Sequence, residues 1–167
     1  MTARDAAAIL AFAVALAVAI PAMADCNDAA KPGVDWRRCR MDQRDLNGAA
    51  LAGALLREAS FLRADLSRAD LTRAEAFRAK FISARLADVQ LKGARLAETD
   101  FTRADLAGAD LSEADLRRAR FFHASLKGAN LSDAQIAGAD FNRADLSGAT
   151  WTDGKTVCAE GSLGQCN

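Results

Sequence analysis

Every fifth residue from Leu46 to Trp151 is large and apolar, with Ala76 the single exception, and every twentieth is a phenylalanine: Phe61, Phe81, Phe101, Phe121 and Phe141. The run holds 22 consecutive five-residue units without an insertion. Two residues before each large centre stands a small side chain, alanine in 19 of the 22 units, with Arg44, Val89 and Thr99 as departures. These two periods constrain the fold more than any other property of the chain.

Alanine, leucine, arginine and glutamate favour helix, yet the spacing excludes one. An α-helix advances about 100° per residue, so a step of five rotates the side chain by about 140° and scatters the centres over every face. Two inward residues separated by one outward residue fit a short extended segment instead, and the other two residues of each unit turn a corner. Glycine agrees with this division: Gly48, Gly53, Gly93, Gly108, Gly128, Gly138 and Gly148 all fall two after a centre, where the backbone must bend. Four sides of five residues make a lap of 20 and set Phe on Phe and Leu on Leu. With about 4.8 Å between laps, the 22 units give some five and a half coils and a rod roughly 26 Å long.

The A-(D/N)-L-x-x pattern, as in Ala104-Asp105-Leu106, Ala109-Asp110-Leu111 and Ala129-Asn130-Leu131, resembles the pentapeptide-repeat family over residues 44–153. The resemblance implies an all-β fold, a right-handed quadrilateral parallel β-helix. It implies less about function, although some members of that family imitate DNA and act on type II topoisomerases. One unit departs from the pattern, with Ala76 at the centre and Phe77 after it. Turning Phe77 inward would bring Glu75 to the small inward position, and an unpaired buried carboxylate costs several kcal/mol. Ala76 is therefore expected inside, leaving a thin spot in the core, with Phe77 outside.

The flanks differ from the repeats. Residues 6–20 are continuously apolar, followed by Pro21 and Ala22-Met23-Ala24, which reads as a secretory signal peptide over 1–24 cut after Ala24. The run falls short of the ~20 residues that a stable membrane span needs. Residues 25–43 and 154–167 are then expected to cap the coil. Export bears on the cysteines, because thiols in an oxidising compartment pair. Cys26 and Cys39 precede the repeats and Cys158 and Cys166 follow them. A bridge needs Cα atoms within about 7 Å, so along a rod of this length only Cys26–Cys39 and Cys158–Cys166 can form. The same separation excludes a four-cysteine zinc site.

Charge is even, with 16 Lys plus Arg and 16 Asp plus Glu between residues 44 and 153. The one-sided basic excess expected of a nucleic-acid binder is not visible in that total, and export with neutral charge speaks against the topoisomerase-directed DNA mimic. The corner after the phenylalanines carries Arg63, Ser83, Arg103, His123 and Arg143, a mildly basic stripe suited to an acidic partner. Outward apolar residues Leu55, Leu62, Phe77, Ile82 and Phe122 form the candidate interface, for a protein partner or a second copy making a homodimer. Leu62, Ile82 and Phe77 are expected to join in one patch. No motif places a nucleophile, an acid and His123, the single histidine, together, and a filled interior leaves no ligand pocket. The outward carboxylates, such as Asp65, Asp105 and Asp110, suit turn hydrogen bonds. The sequence thus reads as a non-enzymatic module without cofactor or metal, serving protein contact or architecture in the cell envelope, periplasmic or secreted.

Overall fold

A computed structural model describes residues 25–167; the expected signal peptide, 1–24, lies outside the described residues. From Asp35 to Thr150 the chain makes parallel bridges between residues 20 apart, one per five-residue unit, such as Ser60 with Lys80 and Lys80 with Asp100. Each lap therefore has four sides. We number the faces by their centres: face 1 carries Leu56, Ala76 and Leu96; face 2 the phenylalanines; face 3 Leu66, Leu86 and Leu106; face 4 Leu71, Leu91 and Leu111.

The backbone explains why five residues suffice. In the unit around Leu66, Leu66 N–H donates to Arg85 C=O (2.7 Å) and Arg68 N–H to Ala87 C=O (2.8 Å) on the next lap. Asp65 N–H donates back to Arg44 C=O (3.0 Å), and Ala69 N–H closes the turn on Leu66 C=O (3.0 Å). The fifth donor, Ser67 N–H, is taken by the Asp65 carboxylate (3.0 Å). Every peptide N–H of the unit is thus paired. The same Asx bond recurs at Asp70, Asp100, Asp110, Asn130 and Asp140, which is why a short acceptor side chain stands just before so many centres. Where Ser60 replaces it, Asp42 of the preceding lap reaches across to cap Leu62 N–H at 3.0 Å.

The corner residue two after each centre is left-handed throughout the coil. Arg63, Glu98 and His123 hold φ of 55°, 58° and 58°, as Gly108 holds 68°. Non-glycine residues normally lose about 1–2 kcal/mol in this conformation. Here the corner N–H is bonded to the next lap, and the buried centre two residues before it and the buried small residue just after it fix the chain on both sides, so the conformation is imposed from both ends.

Inside, like stacks on like. The phenylalanine rings lie 4.9, 5.3, 5.1 and 4.9 Å apart along the column, within 8° of parallel. Ala76 is buried and Phe77 lies outside, half-exposed. Thr99, also buried, donates its hydroxyl to Ala76 C=O at 2.9 Å. A departure in the small column thus meets the departure in the large one, which is the structural reason Thr99 stands where alanine is the rule.

The ends depart from expectation in two ways. Residues read as an N-terminal cap continue the coil: Val34, Trp36, Cys39 and Met41 are buried in register beneath Ala54, Leu56, Ala59 and Phe61, and bridges begin at Asp35 and Arg40. Arg44 is tolerated at a small position because it lies at the open rim and is exposed. Cys39 is itself a coil residue, and its disulfide to Cys26 (Cα–Cα 5.4 Å) ties the preceding segment to the first lap. At the other end the chain turns back antiparallel, pairing Thr150 with Val157 and Asp145 with Leu163. Leu146 N–H donates to Ser162 C=O and Gly148 N–H to Cys158 C=O, both 2.9 Å. The Cys158–Cys166 disulfide (Cα–Cα 4.8 Å) closes this lid. It covers faces 3 and 4 only, leaving Ile136 partly exposed and a depression of about 520 Å³ between residues 139–143 and 163–165.

Candidate contact surface

Because the interior is a column of packed side chains, chemistry with other molecules must use the outside. Each face presents three outward columns: the residue before the centre, the one after it, and the corner. Residues 20 apart are neighbours along a column, so its composition decides what it can touch.

On face 1 the columns neutralise themselves. Arg38 pairs with Glu58 (3.0 Å), Glu98 with both Arg78 (2.7 Å) and Arg118 (3.6 Å), Arg95 with Glu75 (3.3 Å) and Arg117 with Asp115 (2.7 Å). Phe77 sits among these charges, with the Arg78 and Arg57 guanidinium carbons 4.7 and 5.7 Å from its ring centre, an arrangement attractive through the ring quadrupole. Above it, Ala97 and Ala137 leave a shallow depression of about 330 Å³ rimmed by Arg117 and Arg118. Leu55 is half-buried on the same face.

Face 2 is different. Leu62, Ile82 and Phe122 fall in one column, each half-buried, with Thr102 between Ile82 and Phe122. The corner beside them carries Arg63, Arg103 and Arg143, and the opposite border carries Lys80; among the described residues none of these four has a carboxylate within ion-pair distance. Arg143 Nη1 lies 3.4 Å from His123 Nε2. The expected patch of Leu62, Ile82 and Phe77 is therefore divided: Arg78 and Lys80 stand in the chain between Phe77 on face 1 and Ile82 on face 2. Among the described residues the large apolar side chains most open to solvent are Val157 and Leu163 of the lid, which the sequence missed because that segment has no period to assign inward and outward positions.

The even charge total conceals a division. Over residues 35–153, faces 1 and 2 hold 13 Lys plus Arg against 8 Asp plus Glu, while faces 3 and 4 hold 6 against 10. A one-sided basic excess, net +5 against −4, is thus present after all. It cannot be seen until residues are sorted by face.

Seven carboxylates are held below their usual range. Asp35 is lowered chiefly by the Arg37 side chain, Asp42 by the Ser60 hydroxyl, Asp65 and Asp145 by the Ser67 and Ser147 hydroxyls, Asp115 by Arg117 and Glu98 by Arg78. Asp153, at the root of the lid, is lowered to about 2 by the Thr156 hydroxyl and the Thr156 and Lys155 N–H groups. Carboxylates lowered in the folded state stabilise it above their unfolded value near 4, and that contribution disappears as pH falls through the lowered values. The melting temperature should therefore be level above about pH 5 and decline from about pH 4 towards pH 2. Circular dichroism melts across that range check this; a melting temperature unchanged at about pH 2.5 would contradict it.

Among the described residues no three His, Cys, Asp or Glu side chains converge as a metal site, and no helix is long and apolar enough to cross a membrane. The family model described as "Pentapeptide repeats (8 copies)" matches residues 37–73, 45–81, 84–121 and 114–150. The chain belongs to the pentapeptide-repeat family. Similar solved pentapeptide-repeat structures include HetL, involved in heterocyst differentiation regulation in the cyanobacterium Nostoc sp. strain PCC 7120. It is 31% identical over 73% of this chain and 68% of its own, with a TM-score of 0.46. Rfr23 of the cyanobacterium Cyanothece 51142 is 20% identical over 70% and 90%, with a TM-score of 0.48. A trypsin-treated charge-reversal variant of QnrB1, a plasmid-mediated fluoroquinolone resistance protein, is 25% identical over 71% of this chain and 65% of that one, with a TM-score of 0.46. No curated protein matches the chain.

Proposed function

We propose that this pentapeptide-repeat protein is an exported, non-enzymatic module that makes protein–protein contacts, or serves an architectural role, in the cell envelope. The observation that carries the reading is the solid interior: with Phe, Leu and Ala filling the shaft, only the outward columns are free to act. Two disulfides with no free cysteine among the described residues support an oxidising compartment, in the periplasm or outside the cell. The reading takes the coil as right-handed, as the pentapeptide β-helix implies, and the two units around Trp36 and Met41 bring its length from the expected five and a half laps to roughly six.

The native protein, purified from its source without reduction, should begin at Asp25 and weigh four hydrogens less than the all-thiol chain. Its partner should co-purify from envelope extracts with the wild type and be lost with Ile82→Asp or Phe77→Asp. Recovery unaffected by either change would reject the apolar columns as the contact. The competing reading, a DNA-mimicking effector of a type II topoisomerase, meets a quantitative obstacle. A duplex as long as the six laps carries about 17 negative charges, whereas the two acidic faces together are net −4. Protection of gyrase in a supercoiling assay at micromolar protein would reinstate it.

A further inference from the structure

Building on the contact-module reading, we propose that face 2 binds an extended acidic peptide, running along the rod in polyproline-II conformation, with a carboxylate opposite every second lap. The stripe of Leu62, Ile82 and Phe122 supplies apolar area, and the unpaired Arg63, Arg103 and Arg143 line one edge of it. Those three lie 40 residues apart, two laps, or about 9.6 Å at the usual strand spacing. A polyproline-II helix has about three residues per turn and a rise of about 3.1 Å, so side chains on one of its edges repeat about every 9.3 Å. The mismatch over both intervals is under about 1 Å. A β-strand brings side chains to one face about every 6.6 Å and falls out of step.

The carboxylates near this face are largely engaged. Asp42 accepts from Ser60 Oγ and Leu62 N–H, and Asp100 pairs with Arg120 (3.4 Å). Across the corner, Asp65 pairs with Arg85 (3.7 Å) and Asp145 with Lys127 (3.2 Å). Only Asp45, Asp105 and Asp140 lack a cation there among the described residues, and all three cap turns. A duplex fits poorly, because each of its strands carries a phosphate per about 3.4 Å of helix axis and would set phosphates against these carboxylates between the arginines. A second copy offers opposite charge on face 4, but the column there reads Thr72, Lys92, Ser112 and Ser132. It has no apolar counterpart for Leu62, Ile82 and Phe122.

The test uses fluorescent peptides (Glu-Pro-Leu)₄ and (Gln-Pro-Leu)₄ with the disulfide-bonded protein, read by anisotropy. Binding of the glutamate peptide, at least tenfold weaker for the glutamine peptide and for R63E/R103E/R143E, supports the proposal. The variant should keep its fold, because Glu58, Glu98 and Glu113 already occupy equivalent corners at φ of 59°, 58° and 60°; an unchanged melting curve verifies this. On that variant (Lys-Pro-Leu)₄ should bind in place of the glutamate peptide. Equal binding of the glutamine peptide, indifference to the triple change, tighter binding of a 12-nucleotide single strand, or dimerisation that excludes the peptide would each overturn it. If the peptide fails while the Ile82-dependent partner still co-purifies, this inference falls and the contact-module reading stands.

Discussion

Phe101→Ala should lower the unfolding free energy by about 3–5 kcal/mol, towards the upper end of what such truncations cost. Phe101 is buried between Phe81 and Phe121, with ring centres 5.3 and 5.1 Å away. Cavities cost less where walls can collapse into them, and these walls cannot. The lap spacing is set by backbone bonds above and below the ring, Phe81 N–H to Asp100 C=O and Phe101 N–H to Arg120 C=O, both 2.8 Å. The neighbouring rings are therefore held at their own heights, and the void persists with its lost dispersion contacts. Phe101→Leu, which refills most of the space, should cost under half as much. Denaturant unfolding of both variants measures this, and a loss below about 1 kcal/mol for the alanine variant would mean the column relaxes.

Deleting the lid, residues 154–167, should drive the chain into larger assemblies than the intact protein forms and lower the melting temperature. The deletion frees the N–H groups of Leu146, Gly148 and Trp151, which now donate to Ser162, Cys158 and Thr156 at 2.9, 2.9 and 2.7 Å. It also uncovers Leu146 and the already half-exposed Trp151. A bare terminal lap is a strand edge over an apolar core, a template for another chain. Cleaving Cys158–Cys166 by the double serine change should act in the same direction and less strongly, since a short-loop bridge contributes about 2–3 kcal/mol and the backbone bonds remain. Light scattering after gel filtration reads the outcome. A truncated chain that keeps the intact protein's assembly state with an unchanged melt would show that faces 3 and 4 need no cover.

Much of this molecule was legible from spacing. Assigning Leu, Phe and Ala inward and Asp outward required only that the lap be a whole number of repeats. The inward place of Ala76 followed from the cost of burying Glu75. The small position of Thr99 was seen as a departure, but its hydroxyl bond to Ala76 was not, because the partner lies 23 residues away. The start of the coil was missed where Val34 and Cys39 replace alanine, although counting back by five from Leu46 meets Met41 and Trp36. The basic side of the rod was missed through counting charges along the chain instead of around it.

The chain's five- and twenty-residue periods by themselves determined which side chains are buried, which stack and where the corners fall, since a uniform lap turns sequence separation directly into position. Only the tertiary structure decided which charges are neutralised and how the ends are closed. Whether Arg38 finds Glu58 while Arg63 finds no carboxylate depends on side-chain reach between laps. The lid has no repeat at all, so its antiparallel return over half of the last lap is set by backbone donors that only the finished coil presents.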